Sequence, residues 1–546
     1  MIKNADNTKH NNNSSIYIQN NRIVIFFQKY KIVAILGVLF GTLLYSLMMS
    51  RQLTNTFDGL WQQNYHHAGK SELTSGRWML IFVDKLVMGL HSDPIASIAA
   101  LILFIIGFLI VLDLFGVENR FCGCLCLMLF ISSTAISNTL SYRFTSLGYG
   151  LAYLLAVLSV YAVITIKKRP VAIGLAGVLL GLSMSCYQAY LAVFCSVSVF
   201  YVIFLYTETG MTKIKNENNI VPILLRLCGS LLIGAVFYIA SLSVFLKLYH
   251  VSLSGYNGIG EISLGGIIAG LPQSILNTYR FFGAYFFMDK LKINRLQPFG
   301  VFYLLLALFI ALIILIAIKS WKVKKLRIAF LLLSAAATPI ACNAYVLIAG
   351  NKLELQMTTG LAMFMPLTII IAFSYFREKH FLQSICGLLC IALIYGSSMQ
   401  VWFDQEAMYE GRNACETMAT QVISDLKSED LLSSNYKYFF VGVPAESPYF
   451  SVSNIYYSAN GYAQVGNFWV SGNCSQMSYK GLINKYMGFN LPIPYLVYEN
   501  VAARTNVSEM PKFPEEGYIT LIDDNIVVIK ISEHTEYAGH SKYVID

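Results

Sequence analysis

Apolar runs long enough to cross a bilayer recur between residues 24 and 400, and short polar connections separate them. About 20 apolar residues span the hydrocarbon as a helix, so the runs near 24–49, 95–115, 121–139, 147–166, 170–186, 189–206, 222–248, 299–318, 328–349, 358–376 and 381–400 predict eleven crossings. The pair covering 170–206 turns tightly around Tyr187-Gln188; read as one tilted span it would reduce the count to ten and reverse every later loop. Ile267 to Met288 is also apolar, but Pro272, Gln273, Asn277 and Arg280 punctuate it and favour a helix lying in the membrane interface. After residue 401 the pattern changes to that of a soluble fold, with an amphipathic helix over Asp404 to Leu432, a strand over Tyr436 to Val443, a helix over Tyr479 to Met487 and a hairpin over Tyr518 to Ile531 turning at Asp523-Asp524-Asn525. The expected fold is an all-α polytopic membrane bundle, residues 22–400, between a disordered Asn-rich lead, 1–21, and a C-terminal α+β domain, 401–546.

Composition excludes a soluble globular chain: 56% of residues are hydrophobic, 13% are charged and the mean hydropathy is +0.58. The net charge of +9 does not call for nucleic acid, because the basic residues cluster at alternate loops, at Arg120, Lys167 to Arg169, Lys213 and Lys215, Lys319 to Arg327, and Arg377 and Lys379. Those loops are cytoplasmic by the positive-inside rule, which places the N-terminus inside and both the first loop, 50–94, and the C-terminal domain outside. Most of the eleven Cys lie within apolar runs and read as small core residues; Cys415 and Cys474 could pair if their domain is outside the cytoplasm.

Candidate chemistry gathers in the loop between the first two spans. Asp58 stands near Trp61, Tyr65, His66 and His67, and Gly76-Arg77-Trp78 opens an amphipathic run from Met79 to Leu90. A loop so long is more often a working part than a tether. Polar residues near hydrocarbon are costly and tend to line cavities, and on the expected topology Tyr142, Arg143, Tyr187, Gln188, Tyr190, Arg280, Lys352, Glu354 and Gln356 all fall toward the outer side. Such a set suits transfer of a sugar from a lipid phosphate: Asp58 as base, Arg143, Arg280 or Lys352 holding phosphate, and Trp61, Tyr65 and Trp78 stacking on sugar faces. Each residue has a plainer reading as well. Asp58 can cap a helix starting at Gly59, Arg77 and Arg143 can anchor at headgroups, Gln188 can bond a neighbouring helix, His66-His67 can be a surface pair, and Asp93-Pro94 can open the second span.

The order Asp58-Gly-Leu-Trp, Gly76-Arg77-Trp78, Asp93-Pro94, Ser141-Tyr142-Arg143-Phe144-Thr145-Ser146 and Tyr187-Gln188-Ala189-Tyr190 resembles the polytopic type II serotype-converting glucosyltransferases, themselves similar to the GT-C superfamily. The resemblance implies inverting transfer of glucose from a polyprenyl-phosphate donor to a cell-envelope polysaccharide, on the outer face of a bacterial cytoplasmic membrane. It also implies that Asp58 matches the acidic base of the first outer loop. Of the residues placed toward the outer side by topology, together with Arg77 of the first loop, the expected substrate contacts are Arg77, Tyr142, Gln188, Glu354 and Gln356. Many members carry paired acids where Phe57-Asp58-Gly59 supplies one, and an acid where Thr145 stands; no metal ligands are therefore assigned and no cofactor is expected, while divalent-metal dependence stays open. The competing class is a transporter or flippase of a lipid-linked sugar, although inverted repeats of the kind transporters carry are not evident.

Overall fold

The computed structural model describes residues 4–55, 59–60, 65–207, 220–254, 264–287, 296–298, 300–321, 325–349, 354–444, 447–449, 463, 476–494, 498–502 and 504–533. Its longer helices are α1 (Asn4–Leu44), α2 (Ser46–Arg51), α3 (Lys70–Thr74), α4 (Leu80–Leu86), α5 (Ile95–Leu114), α6 (Arg120–Ile131), α7 (Thr134–Ser141), α8 (Arg143–Thr165), α9 (Arg169–Cys186), α10 (Leu191–Phe204), α11 (Ile220–Tyr249), α12 (Leu264–Phe287), α13 (Val301–Trp321), α14 (Lys325–Cys342), α15 (Thr359–Tyr375) and α16 (His380–Ser428). Among the described residues seven helices are long and apolar enough to cross a membrane, or eight if the bent pair α6–α7 counts as one span. Three further apolar helices, Gln188–Phe204, Ile328–Cys342 and Thr359–Tyr375, are shorter. Each expected run falls on a helix, and the chain is a helical membrane bundle. The segment 170–206 is two helices, parted by a 3-10 turn at Gln188–Tyr190.

Local sequence explains the breaks. Asn119 opens α6 by accepting hydrogen bonds from the Phe121 and Cys122 N–H groups. At Ser132-Ser133 the axis then bends by 51° as Ser133 turns extended. Tyr45 interrupts the first span, and its hydroxyl donates to the Ile131 carbonyl at that bend, 2.7 Å away. Small residues set the closest helix contacts: Gly177 and Gly181 of α9 face Ile233, Gly234 and Phe237 of α11 with no room for a side chain.

Helix α16 runs unbroken for 49 residues, roughly 73 Å at 1.5 Å per residue. The change in composition at residue 401 therefore marks no break in the backbone. The first half packs in the bundle through Cys390, Leu393 and Val401; the second buries Cys415, Met418, Val422 and Leu426 in a separate apolar cluster. Beyond it, strands β1 (Lys437–Val441), β2 (Ile519–Ile522) and β3 (Ile526–Lys530) form a sheet of order β1-β3-β2, with β1 parallel and β2 antiparallel to β3. The expected hairpin turns at Asp523 and Asp524, both at positive φ. Helix α17 (Gln476–Lys480) continues as a π-helical turn over Gly481–Tyr486 and packs Tyr479 face to face on Phe440, with ring centroids 4.4 Å apart. Cys415 is buried; Cys474 lies outside the described residues, and so does the expected pairing.

Candidate active site

Residues 52–55 leave α2 along one end of the bundle, and polar groups from other elements meet them there. Gln52 adopts a left-handed conformation, φ 51°, which a non-glycine residue takes at a cost. Both its backbone and side chain are held: the Tyr486 hydroxyl donates to its carbonyl at 2.7 Å, and Arg143 Nη1 donates to its Oε1 at 3.2 Å. Thr54 donates to the Ser141 carbonyl. Asn55 donates to Asn138, and Asn138 in turn to Gln356, each at 3.0 Å. Asp58 and Trp61 lie outside the described residues, but Gly59 packs against Thr54, and Leu60 is fully buried in the cluster formed by α16 and α17.

Arg143 is 1% exposed, and its guanidinium faces protein on every described side. Nη2 donates to the Tyr486 hydroxyl at 3.0 Å, and Nε lies 4.0 Å from Asp93 Oδ2. The other Asp93 oxygen accepts from Ser97 N–H and so caps the first turn of α5, as its place before Pro94 leads one to expect. Burial pushes the Asp93 carboxyl above its ordinary range, against the pull of Ser97 and Arg143.

The first loop folds around buried acid and imidazole groups. His66 Nε2 lies 3.2 Å from Glu72 and 3.9 Å from Asp84, and His91 Nε2 lies 3.3 Å from Asp84. The carboxylates also accept backbone N–H bonds, Asp84 from Ala68 and Glu72 from Gly69, both at 2.7 Å. Burial raises the Glu72 pKa, but the bonds from His66 and Gly69 outweigh it and hold the carboxyl below its ordinary value. His66 is thus no surface residue: it is 7% exposed and stands edge-on to Phe144, whereas exposed Tyr65 meets His67. Gly89 makes the turn at φ +73°, where a side chain would overlap His66 and His67. Among the described residues no three His, Cys, Asp or Glu side chains are arranged to hold a metal ion.

A second group surrounds Arg77, whose Nη1 donates to the Tyr149 hydroxyl at 3.1 Å while its guanidinium lies 4.6 Å above the Tyr187 ring. Tyr149 and Tyr187 stack at 4.5 Å, and Glu354 acts electrostatically on Tyr187 and Tyr345. Gln188 donates to the Ser75 carbonyl and to the Tyr238 hydroxyl, which donates on to the Gly76 carbonyl. The two groups share α8 and the segment 354–356, for Arg143 and Tyr149 are separated by roughly 9 Å of helix rise. This brings Arg77, Gln188, Glu354, Gln356 and Arg143 to one end of the bundle.

Compared with known families, residues 62–373 match the model described as glucosyl transferase GtrII. The chain belongs to this glucosyltransferase family. No curated protein and no solved structure matches it. The glucosyltransferase match includes the Arg77 group, Arg143 and residues 354–356, while Asp58 and everything beyond residue 373 lie outside it.

The other expected site residues of this glucosyltransferase have varied surroundings. Trp78 is 5% exposed and stacks on Phe245 at 4.6 Å, so its ring faces a neighbouring helix and not an open cleft. Arg280 lies exposed on α12 with no hydrogen bond or ion pair among the described residues. Tyr142 is half-buried beside Phe144, and Lys352 lies outside the described residues. Asp84, His91, Tyr149 and Tyr486 were not singled out by sequence. A carboxylate inside the apolar run Met79 to Leu90, followed seven residues later by His91, was the available sign of a buried pair.

Proposed function

We propose that this glucosyltransferase takes glucose from a polyprenyl-phosphate donor and transfers it, with inversion, to a cell-envelope polysaccharide outside a bacterial cytoplasmic membrane. Asp58 removes the proton from the acceptor hydroxyl, whose oxygen forms a bond to the anomeric carbon as the bond to the donor phosphate breaks. The departing lipid phosphate needs a cation. Arg77, Arg280 and Lys352 serve it, whereas Arg143, whose hydrogen bonds go to Gln52 and Tyr486, holds the loop. Tyr65, Trp61, Tyr142, Gln188, Glu354 and Gln356 contact the sugars. On this reading the bundle has eleven crossings, and the part beyond residue 401 is an extracytoplasmic α+β domain.

What supports the reading, beyond family membership, is the convergence of Asn138, Ser141, Arg143 and Tyr486 on Gln52, Thr54 and Asn55, the residues that lead to Asp58. A loop held from several sides suits a base that must meet its proton at hydrogen-bond distance. Label transfer from polyprenyl-phosphate glucose to envelope glycan, in membranes carrying the native chain or Asp58→Asn, tests it. Transfer by the native chain and none by a normally inserted variant is expected; retained transfer removes Asp58 from the mechanism. Labelled lipid crossing the bilayer without transfer would identify a flippase instead.

A further inference from the structure

The stretch leading into and out of Asp58 is tied to chain lying hundreds of residues away. On its N-terminal side, Tyr486 donates to the Gln52 carbonyl, which leaves a lone pair of the same hydroxyl to accept from Arg143 Nη2. The Tyr486 ring also lies 5.5 Å from the Arg412 guanidinium, and Arg412 donates to the Arg51 carbonyl. On the C-terminal side, Leu60 is buried among Met418, Val422, Tyr479 and Leu482. Residues 51, 52 and 60 are therefore gripped by α16 and by the turn that ends at Tyr486, and these elements share one apolar cluster.

We propose that Tyr486 is a positioning residue for the glucosyl-transfer step, and that with Leu60 as its peg the C-terminal part fixes the loop bearing Asp58 against the membrane bundle. The proposal rests on Asp58 being the base. The Tyr486 hydroxyl joins two groups at once, the Gln52 carbonyl and the charged Arg143, and bonds to a charged group are among the stronger ones. Leu60 supplies the apolar counterpart, an anchor whose truncation leaves a cavity in a cluster that belongs to another part of the chain. An unanchored loop would still admit substrate but would present its carboxylate in the reacting geometry for less of the time, and such a loss falls on kcat rather than KM.

Tyr486→Phe keeps the ring and its contact with Arg412 and removes only the hydroxyl. In full-length protein the expected result is a fall in kcat of about 10-fold with KM nearly unchanged, together with faster amide hydrogen exchange confined to residues 50–62. Leu60→Ala should reproduce both effects. Unchanged kcat with unchanged exchange, or a rise in KM alone, overturns the proposal. Exchange is read without substrate, so the two readings fail separately: absence of transfer by the native chain refutes the donor assignment, while unaltered exchange in both variants refutes the tie.

Discussion

A methyl group on residue 76 would overlap the Tyr238 hydroxyl and the Gln188 amide, and φ there is +77°. The glycine of Gly76-Arg77-Trp78 is thus required twice, for the left-handed turn and for the approach of two polar groups that bond the adjoining carbonyls. Gly76→Ala is expected to lower stability by about 1–3 kcal/mol, measured by thermal unfolding in detergent, and to reduce transfer by displacing Gln188. Glu72 gives the loop a pH dependence. Its carboxyl titrates below the ordinary value of 4.5 in the folded chain, so it contributes stability that is fully present above that value and is lost as pH falls through the lowered one. Protection factors for hydrogen exchange over residues 66–72 should fall as pH drops below 4.5, and Glu72→Gln should remove that dependence.

At the scale of elements, the helices were legible wherever hydropathy alone decides them, since every apolar run lies mainly on helix, whole or broken. The 51° bend at Ser132-Ser133 and the continuity of α16 were not. Hydropathy reports the surroundings of a segment, whereas the helical ladder depends on local i to i−4 bonds that are the same in lipid and in water. Residue 401 therefore looks like a boundary in composition while the backbone passes through it. The polar residues near the ends of apolar runs, Arg143, Gln188 and Gln356, were visible because such placement is expensive. Their partners Asn138 and Tyr486 sit in unremarkable local sequence and acquire meaning only through long-range contact. Because α16 is one rod, one alanine inserted between Phe403 and Asp404 would turn everything beyond it by about 100° and advance it by about 1.5 Å. Transfer activity is expected to be lost while the preceding spans still insert, as judged by transfer assays alongside cysteine accessibility in the loops.

For the whole molecule, the parts that meet at the site are made at very different times. Gln52 and Tyr486 are 434 positions apart, and at roughly 5–20 residues per second the ribosome needs about 20–90 seconds to travel from one to the other. The bundle can insert and pack during that interval, before the Tyr486 hydroxyl that donates to Gln52 has been made. A chain cut short before Tyr486 would therefore sit in the membrane with the Gln52 carbonyl lacking that donor, so the tie between the two parts can form only after the bundle has been made.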